Sequence, residues 1–400
     1  MFIKEITPKY INNSRGEKTI EINLSTYEGK FKASAPSGKS TGKSEVPCYH
    51  IKGIAHSMTL LKHFCKNIQG KNFIIKKLDD IKQLNDLMKK YEDKYGYFGG
   101  NVWYAIEAVF LKAAAADTGR QLWQFINDDV NNGKKPTSPM PVGNCIGGGL
   151  HSKKIKNKRP DFQEFLLIPD EKTYHRAATV NLRAYEYAKK LLKANSRNDE
   201  NAWQTPKTNE EVLEILRKVA DKYKLRIGLD VASSSFYQDK YYKYKNKNLI
   251  RDRLDQIDYM EKLAKKFKMF YIEDPMNEDD FSGFKQILGS VPKTKTLITG
   301  DDLTTTNPKR VKRAIQGKSI NAMIIKPNQI GSILEVKKVV EMCKKNKITM
   351  IFSHRSGETM DDTLADYCIG FGGQFMKSGI YGQERLIKIK RMIDIEKSLI

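Results

Sequence analysis

Three acidic residues stand at the ends of three β-type segments in the second half of this 400-residue chain: Asp230 closes LRIGLD, Glu273 closes MFYIE and Asp301 follows TLITG. The sign of the charge then reverses. Lys326 follows AMII, His354 and Arg355 follow MIFS, and Lys377 closes QFMK. Carboxylates facing cations describe a site that holds a divalent metal on one side and an anionic substrate on the other. Oxygen-only ligands favour a hard ion such as Mg2+. A lysine beside bound cations has its pKa depressed and can take a proton. An arginine fork suits phosphate. One acid at a strand end is commonly a helix cap, and one strand-end lysine is commonly a solvated side chain; it is the repetition along the series that points to chemistry.

The elements that would position these residues follow from the spacing. Steps along the series run from 23 residues (354 to 377) to 43 (230 to 273), each room for a strand, a helix and two loops. Repeated units of that size close into an α/β barrel, and polar residues at the carboxyl ends of barrel strands read as catalytic. Upstream, PVGNCIGG and FQEFLLIP read as extended, and helices are expected near 174–194 and 209–223. Residues 18–36 alternate as a hairpin around YEGK. From about 50 to 119 the pattern is helical, with Gly119 ending NVWYAIEAVFLKAAAADTG in the manner of a C-cap. The polar stretch NDDVNNGKKPTSP predicts a linker. The expected division is a capping α+β domain over 1–126, a linker over 127–139 and a barrel over 140–400.

The chain has 40% hydrophobic residues, enough for a large core, and no apolar run approaches a membrane span. The start, MFIKEITPKYINNSRGE, carries no secretory pattern, and Cys48, Cys65, Cys145, Cys343 and Cys368 form no close pair. These features predict reduced thiols and a cytoplasmic location. The absence of a thiolate cluster or a close histidine pair argues against zinc. The net charge of +24 is spread along the chain rather than gathered in one arm. It suits the steering of an anionic ligand better than dedicated nucleic-acid recognition.

The motifs SRGEKTIE, PSGKSTGKSE, IGGGLHS, QEFLLIP, RIGLDVASSSFY, YIEDPMNEDD, GDDLTTTNPKR, IIKPNQIGS, SHRSGET and the tail KSG…ERLIKIKRMIDIE occur in that order over nearly the whole chain. Together they resemble the enolase family. That resemblance implies an amino-terminal α+β cap on an eight-stranded α/β (TIM-like) barrel with an irregular start. It also implies a lyase that interconverts 2-phospho-D-glycerate and phosphoenolpyruvate with two Mg2+ ions per site, and a homodimer. By the same resemblance Asp230, Glu273 and Asp301 hold the first metal, with Asp274 and Asp302 as neighbours that a one-residue register shift would select instead. Ser40, in a glycine-flanked lid loop between Gly38 and Gly42, reaches the second. Lys326 is the general base and Glu200 the acid. The substrate set comprises His151, Gln163, Glu164, His354, Arg355, Ser356 and Lys377, with Glu164 supporting the proton relay, Arg355 and Ser356 on the phosphate and Lys377 on the carboxylate. For His354 a buried structural role stands beside substrate contact.

Three departures accompany the resemblance. Asn201 and Ala202 follow Glu200 where the family has two glycines, Ser235 stands where it usually has glutamate, and the loop from His151 to Glu164 is lengthened and carries KKIKNKRP. Two other readings are kept: a paralogue on the same scaffold acting on a different carboxylate, and a non-catalytic basic protein binding nucleic acid or a surface.

Overall fold

The computed structural model describes residues 1–39, 42–152, 158–292 and 295–399. The amino-terminal part is an antiparallel sheet of β1 (Glu5–Asn12), β2 (Lys18–Ser25) and β3 (Lys30–Ser34), backed by helices Ile54–Ile68, Lys82–Tyr95 and Gly100–Asp117. The predicted hairpin is β2 and β3, in register from Glu21 opposite Ser34 to Ser25 opposite Lys30. Strand β1 has only Ile6 buried, so its alternation is too weak to read from sequence. Gly119 takes a φ of +68° just past the long helix, as a C-cap glycine does.

A further helix, Leu122–Asn131, runs into the segment expected to be linker. Leu122, Trp123, Phe125 and Ile126 are buried and drive it, and Asn132 ends it in the left-handed region at φ +53°. The polar residues of NDDVN therefore lie on a helix whose preceding turn is anchored in the core.

The rest is a closed barrel of eight strands: β4 (Met140–Gly147), β5 (Glu164–Ile168), β6 (Arg226–Asp230), β7 (Tyr271–Glu273), β8 (Leu297–Gly300), β9 (Ala322–Ile325), β10 (Thr349–Ser353) and β11 (Phe375–Lys377). Neighbours pair in chain order, and β11 pairs with β4 to close the ring. All pairings are parallel except those of β5, which runs antiparallel to both β4 and β6. That reversal is the irregular start. It brings the first residue of β5, Glu164, opposite Asp230, the last residue of β6. The long step from Asp230 to Glu273 is explained by an inserted three-stranded antiparallel sheet spanning residues 237–251.

Side chains alternate between the two faces of each strand. Val142, Leu166, Ile168, Tyr271, Ala322, Ile324, Ile351 and Phe375 form one cluster inside the ring. Met323, Ile325, Met350 and Phe352, on the other face, join the larger core under the helices. Counting by twos from the inner residues reaches Glu164, Glu273, Lys326, Ser353 and Lys377, so strand parity alone aims these groups into the mouth of the barrel. The helices that return the chain start with local caps: Thr208 with Glu211 for Asn209–Tyr223, Asp252 for Arg253–Lys266, and Asn307 before Pro308 for Pro308–Gln316. Among the described residues no helix is long and apolar enough to cross a membrane.

Candidate active site

The carboxyl ends of the parallel strands, the amino end of β5 and the loop around Gly38 together line a small cleft open to solvent. It is lined by residues that include His151, Gln163, Glu164, Glu200, Asp230, Asp301, Lys326, His354, Arg355, Ser356 and Lys377. Of the expected set, Glu273 is fully buried at the cleft floor, and Ser40 lies outside the described residues.

The acids and lysines interlock. Lys377 Nζ donates to Asp230 Oδ2 at 2.9 Å and Glu273 Oε2 at 2.8 Å, and lies 3.5 Å from Glu164 Oε2. Burial works against its charge, but these three carboxylates raise its pKa well above the usual lysine value. Lys326 is ion-paired with Asp301. Burial again opposes the charge, and Asp301 more than compensates, so Lys326 sits above the ordinary lysine value; the depressed value expected for it belongs to a lysine beside bound cations. The physical reason is that Asp301 presents its full negative charge to this lysine.

The oxygens of Asp230, Glu273 and Asp301 do not all fall within 4.8 Å of one another. Asp230 and Glu273 are instead bridged by one ammonium, and Asp301 is held by another. The donor set still fits a divalent cation. Glu273 Oε1 is buried without a hydrogen-bond partner. The Glu273 pKa is pushed up to about 8, first by burial and then by repulsion from Asp230. The Asp274 carboxylate accepts from the backbone N–H groups of Asp301 at 3.0 Å and Asp302 at 2.7 Å. It thereby clamps the turn, and Asp301 rather than Asp302 lines the cleft.

Glu164, His151 and His354 gather around Glu200. Glu200 accepts from Asn144 Nδ2 at 3.0 Å and stands 3.5 Å from His151 Nδ1 and 3.7 Å from His354 Nε2. Burial lowers the pKa of both histidines. Burial first, and then the neighbouring Glu200, raise that of Glu164 well above the carboxylate range. Asn201 adopts φ +63°, supplying the left-handed backbone for which a glycine is the usual residue. Its carbonyl is held by Tyr185 Oη at 2.5 Å. The substitution of the glycine pair thus leaves Glu200 buried and aimed at the cleft.

Sequence reasoning missed the residues that hold the cations. Arg355 Nη2 donates to Glu45 at 2.9 and 3.1 Å, and Nη1 to Asn328 Oδ1 at 3.2 Å. Arg15 donates to Ser356 Oγ at 2.5 Å. Gln329 Nε2 bridges Glu45 Oε1 and Asp301 Oδ1, each at 3.2 Å. All lie within quoted motifs, yet only a fold brings 15, 45, 329 and 355 together. Gly38 packs directly on the Arg355 guanidinium; a Cβ there would fall 2.0 Å from Nη2.

A TIM-type barrel with an antiparallel second strand, an α+β cap, and acids facing lysines at the strand ends defines the class: a barrel enzyme built for a metal and an anionic substrate. Family models agree. Residues 3–126 match "Enolase, N-terminal domain" and residues 135–400 match "Enolase, C-terminal TIM barrel domain". The chain is 35% identical to the enolase of Picrophilus torridus, covering 100% of this chain and 99% of that protein. It is 34% identical to the enolase of Methanosphaera stadtmanae (100% and 97%) and 34% to that of Thermoplasma acidophilum (99% and 98%). The chain belongs to the enolase family, lyases of the phosphopyruvate hydratase type.

Proposed function

We propose that this protein reversibly dehydrates 2-phospho-D-glycerate to phosphoenolpyruvate with Mg2+ as cofactor. The observation that carries the reading is one cleft lined together by Lys326 with its partner Asp301, the carboxyls of Glu164 and Glu200, and Arg355 with Ser356. Asp230, Glu273 and Asp301 would hold magnesium, with Ser40 the residue expected at a second ion, and the metal would supply positive charge against the dianion that forms when the α-proton leaves.

The chain's own groups do the rest. Lys326 takes the α-proton at Nζ, which requires that its charge first be relieved of the pull of Asp301. Glu200, hydrogen-bonded by Asn144 and close to Glu164, protonates the departing 3-hydroxyl. Arg355, oriented by Glu45 and Asn328, presents its remaining N–H edge to the phosphate, and Ser356 adds a hydroxyl. Lys377 orients the substrate carboxylate while holding Asp230 and Glu273 in place. Gln163, tied to Asp230 at 3.3 Å, and the neutral His151 and His354 complete the lining. The net charge of +24 draws the anionic substrate toward the cleft. In the same reading the protein is a cytoplasmic homodimer, with residues 1–126 as the cap over a barrel of 140–400.

The test is turnover: 2-phosphoglycerate mixed with the protein and Mg2+ should yield phosphoenolpyruvate, and EDTA should abolish it. Folded, metal-loaded protein that leaves 2-phosphoglycerate untouched but acts on another carboxylate would replace this reading with the paralogue.

A further inference from the structure

Two charged residues outside the expected site set, Lys39 and Asp199, tie the cap to the barrel. Lys39 lies in the cap segment that follows β3 and lines the cleft beside Gly38. Its ammonium is ion-paired with the carboxylate of Asp199, 160 residues further along the chain. Asp199 directly precedes Glu200. The two side chains are only 25% and 21% exposed, so their attraction is screened less than that of a pair on the open surface.

The segment before Lys39 is fixed to the barrel. Ser37 N–H donates to the Gly357 carbonyl at 2.8 Å, and Gly357 N–H donates back to the Ser37 carbonyl at 2.9 Å. The Gly38 carbonyl accepts from Arg15 Nη2 at 3.3 Å. Gly357 follows Arg355 and Ser356 directly. One connected path therefore runs from the Arg355–Ser356 loop through Ser37, Gly38 and Lys39 to Asp199 and Glu200. Within the barrel, Asn198 Oδ1 accepts from the N–H groups of Glu200 and Ala202, each at 3.0 Å. Tyr185 Oη holds the Asn201 carbonyl and is itself braced by Arg197 Nε at 2.8 Å. These bonds fix the shape of the turn; the Lys39–Asp199 pair joins it to the cap.

We infer that Lys39 and Asp199 form a strut that positions Glu200 relative to the Arg355–Ser356 loop, making both of them positioning residues for the dehydration step. The inference rests on the reading of Glu200 as the acid. Proton donation to the 3-hydroxyl needs that carboxyl within hydrogen-bond reach, and a misplacement of about 1 Å can cost about 10²-fold. Lys326 stands at a different strand end with its own partner in Asp301. Loss of the strut therefore weakens one of the two proton transfers and spares the other.

The experiment compares Lys39→Met and Asp199→Asn with the double variant and with Lys39→Arg. Lys262→Met removes the same charge from an exposed helix pair with Asp258 and controls for the general field. Two rates are read with Mg2+ and 2-phosphoglycerate in deuterated water: phosphoenolpyruvate formation and exchange of the α-hydrogen. Each single variant should lower kcat for phosphoenolpyruvate about tenfold, with KM and exchange within about twofold of the wild type. The double variant should be no worse than either single one. Lys39→Arg should recover most of the rate, and Lys262→Met should lose none. Normal kcat in both single variants, losses that multiply in the double variant, or exchange that falls in step with dehydration would overturn the inference. If the wild type leaves 2-phosphoglycerate untouched, the proposed reaction falls, and the strut is read from amide hydrogen exchange of residues 198–202. Faster exchange there in both single variants would keep the strut, and unchanged protection would strike it out.

Discussion

Replacing Gly38 by alanine isolates one contact of the site. The backbone of Gly38 is not in the left-handed region, so the residue is small for lack of room rather than for conformational freedom. The new methyl would lie 2.0 Å from Arg355 Nη2 and 2.8 Å from Cζ. An ordinary contact is about 3.5 Å, so the guanidinium must retreat by roughly 1.5 Å. The nitrogen pushed away is the one that bonds Glu45 at 2.9 and 3.1 Å. Loss of a charge-assisted hydrogen bond costs about 1.5–3 kcal/mol, which converts to a fall of about 10- to 100-fold in kcat/KM if Arg355 binds the phosphate. Initial rates of phosphoenolpyruvate formation, followed by ultraviolet absorbance over a range of 2-phosphoglycerate, give the number. Gly289→Ala is the control: it lies in the helix Phe281–Ser290, its Cβ would meet nothing within 4 Å, and it should add about 0.5–1 kcal/mol of stability with unchanged kinetics. If Gly38→Ala melts normally and keeps kcat/KM within about twofold, well short of the tenfold that 1.4 kcal/mol brings, the guanidinium is not the phosphate ligand.

Three further outcomes follow from the same geometry. Lys326→Ala should lose about 10²- to 10⁴-fold in kcat, the range of a positioned base, while its melting temperature stays near that of the wild type. Mg2+ at about 100 times its Kd should stabilise the fold by about 2.7 kcal/mol through linkage, read as a raised melting temperature that Glu273→Gln largely removes and EDTA reverses. Glu107 is buried in the helix Gly100–Asp117, accepts from Ile333 N at 2.6 Å, and has its pKa pushed by burial up to about 8. The fold therefore binds a proton there that the unfolded chain has released, so this contribution to stability is full below about pH 4.5 and is lost as pH rises through about 8. Denaturation of Glu107→Gln across that window should lack this part of the slope, and an unchanged slope would contradict the assignment.

The strand ends were legible because the barrel repeats one physical unit. Residues 230, 273 and 377 do end strands, and 301, 326 and 354 do follow them directly. The helix expected at 209–223 appears with those bounds, because Thr208 and Glu211 mark its start chemically. Hidden features depended on contacts across the chain. The antiparallel course of β5 is fixed by pairing with β4 and β6, not by its own residues. The raised pKa of Lys326 comes from Asp301, and the hold on Arg355 from Glu45, which the sequence shows only as the last residue of the motif PSGKSTGKSE. Where the family has two glycines after Glu200, Asn201 adopts the left-handed conformation and its carbonyl is held by Tyr185. The lengthened basic segment after Ser152 lies largely outside the described residues.

The most direct test of the account is to separate the two proton transfers by isotope exchange. With Mg2+ and 2-phosphoglycerate in deuterated water, Glu200→Gln should still exchange the α-hydrogen while forming little phosphoenolpyruvate, and Lys326→Ala should do neither. Exchange that persists in Lys326→Ala, or that vanishes in a folded Glu200→Gln protein, would contradict the assignment of base and acid to opposite sides of the substrate.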